Sequence, residues 1–292
     1  NVQPRYAFGV LFALTAIMLI RPVSGQSESS GSTAAAQRAI QDSAAALGGL
    51  ARIRAVRNIT LIGYGQYAYM FGGGNITGSI HAPQKYQAAN DLRRVYDLEH
   101  DRYQQYERRN FLFPFAIVAG HSFAPVNQIL DGDIAYDINP DGKTVRVKRW
   151  IEDAHQVDGI HMRRMFKLNN PVALIRAALD PRNRISNLHT QGGAIVMDLT
   201  LQQGDKLSFA IDQSTKLPSW VRWSNPQSNL GEITLTTWFT GYEPFSGLQL
   251  PLGYRTTLGW RPVDYLKLYV DNYLIDSEIL DLAAPAAIRA MP

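Results

Sequence analysis

The stretch that decides the fold is AIVMDLTLQQGDKLSFAID, residues 194–212. Apolar side chains occupy every second position on both sides of a polar turn. They are Ile195, Met197, Leu199 and Leu201 before the turn QQGD, and Leu207, Phe209 and Ile211 after it. Alternation with a period of two puts such side chains on one face of a strand. The stretch therefore predicts an antiparallel hairpin with one buried face.

The same alternation returns nearer the C-terminus, in EITLTTWF (232–239) and YLKLYVDNYLI (265–275). The side chains expected on the buried face are Ile233, Leu235, Thr237, Phe239, Leu266, Leu268, Val270 and Leu274. Turn signals such as NPQSN, GYEPFSG and GWRPVD separate the runs. Strands joined by short turns indicate an antiparallel meander rather than βαβ units.

Strands are also predicted upstream, with more charge in them. The segments are a first strand at 58–71, two long charged strands at 86–100 and 101–111, and a hairpin at 133–150. The carboxylates and arginines of the charged pair alternate, so we expect cross-strand ion pairs on a solvated face. These residues are Asp97, Glu99, Asp101 and Glu107 with Arg93, Arg94, Arg102, Arg108 and Arg109.

Two helical segments interrupt the β pattern. TAAAQRAIQDSAAALGG (33–49) is rich in alanine and ends in a glycine pair, and residues 157–181 form a helix broken near Pro171. The small polar stretch 24–33 reads as a flexible tether. The predicted class is mainly β (α+β), a large curved antiparallel sheet wrapped around a few helices. The predicted units are a signal or anchor (1–25), a tether and short helix (26–45), one β domain (46–280) and a C-terminal tail (281–292).

The N-terminal run RYAFGVLFALTAIMLIRPVSGQ (5–26) has fifteen uncharged residues, from Tyr6 to Ile20. Its length suits a cleaved secretory signal, whereas a comfortable membrane span has about 20 residues. We expect a retained anchor, with cleavage as the alternative. The side chains expected in the bilayer are Tyr6, Phe8, Leu11, Phe12, Leu14, Ile17, Met18, Leu19 and Ile20.

Composition excludes several classes of function. The net charge of +4 comes without a run of like charges, which disfavours a nucleic-acid partner. There is no cysteine, so disulfides, thiolate nucleophiles and cysteine-bound metals are absent.

Motifs that carry catalytic chemistry are missing, and no catalytic residue, metal site or cofactor is predicted. DINPDG (137–142) opens like a calcium loop, but its twelfth position is Lys148 instead of glutamate, which favours a hairpin turn. The group DAHQVDGIH (153–161) could bind a metal or serve as an acid–base pair, and a solvated loop is the preferred interpretation.

Several segments resemble an exported bacterial domain with the lipoprotein-carrier fold (LolA, LppX and relatives). The segments are ALGGLARIRAVRNITLIGYG (46–65), KLSFAIDQSTKLPSWVRW (206–223) and FSGLQLPLGY (245–254). DGDIAYDINPDG (131–142) is similar to the N-terminal domain ahead of some secreted metallo-β-lactamase-fold hydrolases, whose metal motif this sequence lacks. The resemblance implies a concave sheet that holds an acyl chain or lipoprotein.

An aromatic surplus suggests a contact surface for protein or lipid, with ordinary cross-strand packing as the alternative. The residues are Trp220, Trp223, Trp238, Trp260, Tyr265, Tyr269 and Tyr273, mostly on the face opposite the aliphatic one.

The sequence thus predicts an exported, non-enzymatic domain on the periplasmic side, tethered to the inner membrane. In the first interpretation it is an accessory subunit of a membrane complex, for example an energy-converting one such as a photosynthetic reaction centre with its antenna. Its partners would be the membrane and other subunits. In the second, it is a periplasmic lipid or lipoprotein carrier. In the third, it is an accessory domain of a hydrolase.

Overall fold

The computed structural model describes residues 26–69, 84–112, 124–147, 159–227, 231–259 and 263–291. Within these ranges the chain forms five helices and thirteen strands. The helices are α1 Gln26–Ala46, α2 Leu50–Ala55, α3 Gly159–Leu168, α4 Pro171–Leu179 and α5 Ala286–Arg289. The strands are β1 Asn58–Ala68, β2 Tyr86–Asp97, β3 Arg102–Phe111, β4 Ala124–Asp131, β5 Ile134–Ile138, β6 Thr144–Val147, β7 Arg184–Gln191, β8 Ala194–Thr200, β9 Lys206–Asp212, β10 Pro218–Gln227, β11 Gly231–Phe245, β12 Leu248–Leu258 and β13 Asp264–Ile275.

The described strands form one open, curved, antiparallel sheet in the order β6-β5-β4-β3-β2-β1-β13-β12-β11-β10-β9-β8-β7. Strands that are consecutive in sequence pair with each other, except that β6 and β7 form the two edges of the sheet and β1 pairs with β13. That pairing joins an N-terminal and a C-terminal meander into a single sheet. The predicted mainly β, antiparallel class is confirmed.

The concave inner face of the sheet and the helices share one apolar core. Met197, Phe209 and Leu235, which the alternation assigned to the buried face, lie in this core together with Leu174 of α4. Burial of such side chains stabilises the fold by about 1.5–3 kcal/mol each.

The predicted break near Pro171 separates α3 from α4. Asn170 caps α4, because its Oδ1 accepts hydrogen bonds from the backbone N–H of Val172 (2.9 Å) and of Ala173 (3.2 Å). Pro171 occupies the first helical position, where the N–H that it lacks would have no partner. The local sequence therefore determines both the end of α3 and the start of α4.

Irregularities in β13 change the predicted face of several residues. Ile62 pairs with Asn272 and Gly63 with Val270, so Asp271 is an extra residue in the strand. A bulge of one residue inverts the alternation beyond it. The prediction that Leu274 lies on the buried face is therefore wrong, since it is exposed while Tyr273 points inward.

α1 begins at Gln26, inside the stretch 24–33 that was predicted to be a tether. The stretch contains no proline, and extending an existing helix is easier than nucleating one. None of the helices in the described ranges is long and apolar enough to cross a bilayer.

The C-terminal segment, residues 276–291, packs on the convex outer face of β2 to β5. Asp131 accepts a hydrogen bond from the backbone N–H of Ala284 at 2.8 Å and forms an ion pair with Arg289. The apolar contacts of this segment join Leu282, Ala284 and Ile288 to Val95, Ile129 and Tyr136. This part of the outer face is therefore covered.

Candidate functional site

The charged strands β2 and β3 carry an ion pair on the inner face of the sheet. Arg94 is 3% exposed and Glu107 is 0% exposed. The expectation that all the charges of these strands lie on a solvated face is therefore wrong for this pair. The sequence pattern indicates this burial, because Arg94 alternates with Leu92 and Tyr96, both of which belong to the core.

Four side chains from three adjacent strands converge in what we call the inner network: Tyr67 of β1, Arg94 of β2, and Glu107 and Arg109 of β3. Arg94 Nη2 donates to Glu107 Oε2 at 2.6 Å and to Tyr67 Oη at 2.8 Å. Tyr67 Oη donates to Glu107 Oε2 at 3.2 Å. Arg109 Nε donates to the second oxygen, Oε1, of the same carboxylate. One carboxylate is thus shared between two guanidinium groups.

The charges in the inner network are fixed near neutral pH. Burial alone would raise the pKa of Glu107, but Arg94 and Arg109 lower it below its usual value. Burial and the nearby Glu107 raise the pKa of the Tyr67 phenol. The network therefore holds two cations, one anion and a neutral phenol, with a net charge of +1.

Arg109 is the member that has donors to spare. Its guanidinium carbon lies 4.2 Å from the centre of the Tyr67 ring, an arrangement typical of a cation–π contact. Its two Nη groups have no hydrogen-bond partner among the described residues, and the side chain is 32% exposed. A guanidinium with free donors beside a buried ion pair can accept an anionic group in bidentate geometry.

The network lies away from the inner helices. In the N-terminal part of the sheet, side chains of α3 and α4 donate hydrogen bonds to Leu98, to Asp101 and to residues 129–137. Tyr67 and Arg109 lie near the C-terminal ends of β1 and β3, at the end of these strands that is far from the helix contacts. The ring of Tyr265 closes the network on the β13 side, edge-on to Tyr67 with centroids 6.0 Å apart.

This chemistry suits recognition better than catalysis. Glu107 is a poor general base, because two cations hold its proton affinity low. Tyr67 keeps its proton at neutral pH for the reason given above. The arrangement can bind an anion, and it presents no activated nucleophile.

The aromatic residues predicted to share a contact face are divided between the two faces of the sheet. Trp220, Trp238 and Tyr269 lie on the outer face, where Trp220 is itself mostly buried beneath its neighbours. Trp223, Tyr265 and Tyr273 pack in or against the inner core. Tyr265 sits at a second irregularity in β13, between the pairs Thr256↔Leu266 and Thr257↔Asp264. A one-residue insertion of this kind is invisible to a period-two pattern.

Other predicted residues lie outside the described ranges. These are Trp260, the anchor residues Tyr6 to Ile20, and the residues Asp153, His155 and Asp158 of the 153–161 cluster. His161 is described, and its Nδ1 lies 2.6 Å from Asp205 while its Nε2 lies 2.9 Å from the carbonyl oxygen of Ser224. In the described ranges, no three His, Asp or Glu side chains are grouped as metal ligands would be.

DINPDG forms a hairpin turn between β5 and β6, as predicted. The backbone N–H of Gly142 donates to Asn139 O at 2.8 Å, and the N–H of Lys143 donates to the Asp141 carboxylate at 3.1 Å. The carboxylate of Asp141 thus accepts a hydrogen bond from the backbone of its own turn.

Two polar clefts lie elsewhere on the described surface. One, of about 370 Å³, lies between α3, α4 and the β2–β3 turn, and its Lys167 pairs with Asp101 at 2.5 Å. The other, of about 690 Å³, lies beside β8 to β11 and includes His161 and Asp205. Lys167 and Asp101 pair in the first cleft, and His161 and Asp205 pair in the second. The second cleft is also lined by the cations Arg184, Lys206 and Arg222 together with the carboxylates of Asp198 and Glu232.

Two solved structures overlap with most of this chain. LolA superfamily protein NE2245 from Nitrosomonas europaea is 10% identical, covers 85% of this chain and 94% of its own, and has a TM-score of 0.43. LprF from Mycobacterium bovis is 9% identical, covers 87% and 98%, and has a TM-score of 0.29. The first bears the name of the superfamily that the sequence resembles. Both TM-scores are below 0.5, so neither likeness supports a conclusion about this chain.

No protein-family model matches the chain, and no curated protein matches it.

Proposed function

We propose that this protein binds and carries an amphipathic ligand, a lipid or the acylated part of a lipoprotein, on the inner face of its sheet. The anionic head group of the ligand lies against Arg109, and its apolar part lies against the core side chains beside the inner network. The observation that carries the proposal is the net positive inner network, whose Arg109 is partly exposed beside the apolar core of the inner face.

The inner network holds one more cation than anion, and its partly exposed member, Arg109, is the one that can reach a ligand. Glu107 neutralises one guanidinium, and the second retains free donors. A carboxylate or phosphate group would pair with those donors and complete the network. Carboxylates and phosphates are the head groups of fatty acids and of anionic phospholipids.

The surroundings of the network suit an acyl chain. Ala89 and Leu92 of β2 and Leu268 of β13 line the same inner face and are nearly fully buried. They lie directly beside the charged groups, and the acyl chain would reach them by separating packed side chains of the core. A site with apolar walls and a few convergent polar groups is the usual form of a small-ligand site.

The test is the binding of a dansyl-labelled undecanoic acid to the full chain held in amphipol, followed by dansyl fluorescence. Arg109→Met removes the free donors, and loss of a charge-assisted hydrogen bond of about 1.5–3 kcal/mol predicts binding about tenfold weaker or more. Arg108→Met is the matched control, since Arg108 is the residue before Arg109 in β3 and pairs with Asp91 at an exposed site.

We expect the control variant to bind like the unmodified chain and the methyl ester of the probe to bind equally weakly to all three proteins. Competition by lysophosphatidate distinguishes a phosphate head group from a carboxylate. The proposal is wrong if the unmodified chain does not bind the acid, or if Arg109→Met leaves its affinity unchanged.

The other interpretations of the sequence remain predictions. The accessory-subunit interpretation, including its photosynthetic example, depends on the anchor residues 6–20, which lie outside the described ranges. Export to the periplasmic side and tethering to the inner membrane have the same basis. We rank the carrier first because its site can be built from described residues.

A further inference from the structure

The outer face of the sheet carries exposed aromatic side chains at its centre. Tyr64 of β1 and Tyr269 of β13 stack with ring centroids 5.4 Å apart, and they are 50% and 45% exposed. Trp238 of β11 is 38% exposed and lies 6.1 Å from the ring of Trp220. Aromatic rings that are half exposed leave apolar surface in contact with water, which commonly marks an interaction site.

Basic side chains lie among these rings. In the register of the sheet, Arg255 of β12 lies opposite Trp238 of β11 on one side and opposite Lys267 of β13 on the other. Arg222 of β10 lies over the ring of Trp220, with its guanidinium carbon 4.7 Å from the ring centre. Together with Tyr64, Trp238 and Tyr269, these three cations form what we call the outer patch.

The outer patch is positively charged. The carboxylate of Asp264 contacts both Arg255 (2.5 Å) and Lys267 (3.0 Å), and Arg222 lines a cleft that also contains Asp198 and Glu232. Arg93 and Asp271 are both exposed further along the sheet and carry opposite charges. Arg255 and Lys267 against Asp264 leave a net charge of +1 between the exposed tyrosine and tryptophan rings.

We propose that the outer patch docks on an anionic lipid surface. Tyrosine and tryptophan rings are favoured at the level of the lipid head groups, because one end of each ring is apolar and the other is polar. Lysine and arginine near the surface are attracted by anionic head groups, by about 1 kcal/mol each. Both features occur together on the part of the outer face that the C-terminal segment leaves open among the described residues.

This docking surface is independent of the inner network, since the two lie on opposite faces of the sheet. In a carrier, docking through the outer face would hold the protein at a membrane while the inner face remains free to exchange its ligand.

The test is hydroxyl-radical footprinting of the full chain reconstituted in vesicles, with residue-level detection by mass spectrometry. One set of vesicles contains phosphatidylcholine alone, and the other contains phosphatidylglycerol for about a third of the lipid. This readout separates the patch from any anchoring by residues 6–20, because it reports on each ring. Met291, 46% exposed in the C-terminal segment, is the internal control.

We expect oxidation of Tyr64, Tyr269 and Trp238 to fall at least about threefold in the anionic vesicles only, as for rings inserted at the interface. Oxidation of Met291 should stay the same. The double variant Arg222→Gln/Lys267→Gln should lose the protection, whereas Lys143→Gln, at an exposed turn, should retain it.

Equal oxidation in the two kinds of vesicle overturns the proposal, and so does equal protection of Met291. Protection that appears without vesicles and grows with protein concentration would also overturn it, since it would identify a second copy of the chain as the occupant.

Discussion

Substitution of Glu107 by glutamine tests whether the inner network is a true buried ion pair. Glu107→Gln keeps the shape of the side chain but removes the carboxylate that Arg94 and Arg109 share. Arg109 is partly exposed, so water can solvate it. Arg94 is nearly fully buried and would remain as an uncompensated charge.

Breaking a buried pair by removing one partner typically destabilises a protein by about 3–5 kcal/mol. We expect a loss of this size in the free energy of unfolding, out of a total of about 5–15 kcal/mol. For a chain of this length the melting temperature should fall by roughly 6–20 °C. Urea unfolding followed by circular dichroism measures the first quantity, and a thermal scan measures the second.

Two further variants sharpen the experiment. Asp91→Asn removes an exposed carboxylate paired with Arg108 on the same two strands, and asparagine tolerates the positive φ of 50° at this position. It should cost at most about 1 kcal/mol. Arg94→Met/Glu107→Gln removes both members of the buried pair, and it should be more stable than Glu107→Gln alone.

The pH dependence has a definite sign. The pKa of Glu107 in the folded state lies below its usual value of 4.5, so its contribution to stability is present above pH 4.5 and is lost as the pH falls. The stability difference between the unmodified chain and Glu107→Gln should therefore shrink in acid. A variant as stable as Asp91→Asn at neutral pH would refute the reasoning.

Three other predictions concern the β1–β13 pairing, the β9–β10 turn and the C-terminal segment. Gly63→Ala should destabilise the protein by about 1–3 kcal/mol in urea, because a Cβ there would lie 2.0 Å from the Tyr269 carbonyl oxygen; a stability unchanged within error would contradict the β1–β13 register. The pKa of Asp212 should be about 2 by NMR titration, because Ser214 and Thr215 donate to its carboxylate, and Ser214→Ala should move it back toward 3.8. Because that folded pKa is lowered, the stability it contributes is present above pH 3.8 and is lost as the pH falls through about 2. Asp131→Asn should loosen the C-terminal segment and speed amide hydrogen exchange at residues 282–289, while exchange in β8 and β9 should not change.

Much of the inner site could have been predicted from the sequence. Arg94 alternates with Leu92 and Tyr96, and Glu107 alternates with Tyr103, so both charges share a face with core residues. What the pattern could not supply was the partner of each charge. Arg94 and Glu107 lie across a strand pair whose register slips at Asp91, and Tyr67 comes from a third strand.

The sequence by itself determined the local features of this protein. Period-two alternation identified β8, β9, β11 and β13, turn residues separated these strands, and Asn170 with Pro171 determined where α4 begins. These signals act between residues that are close in the chain, so they can be recognised without knowing the tertiary structure.

Only the tertiary structure decided how β1 meets β13, which faces the aromatic side chains occupy and which charges become buried. The register of that pairing is set by contacts between residues about two hundred positions apart, and a single bulged residue such as Asp271 inverts every face beyond it. The pairing of strands that are remote in sequence, rather than the pattern within either strand, therefore placed the inner network and the outer patch on opposite sides of one sheet.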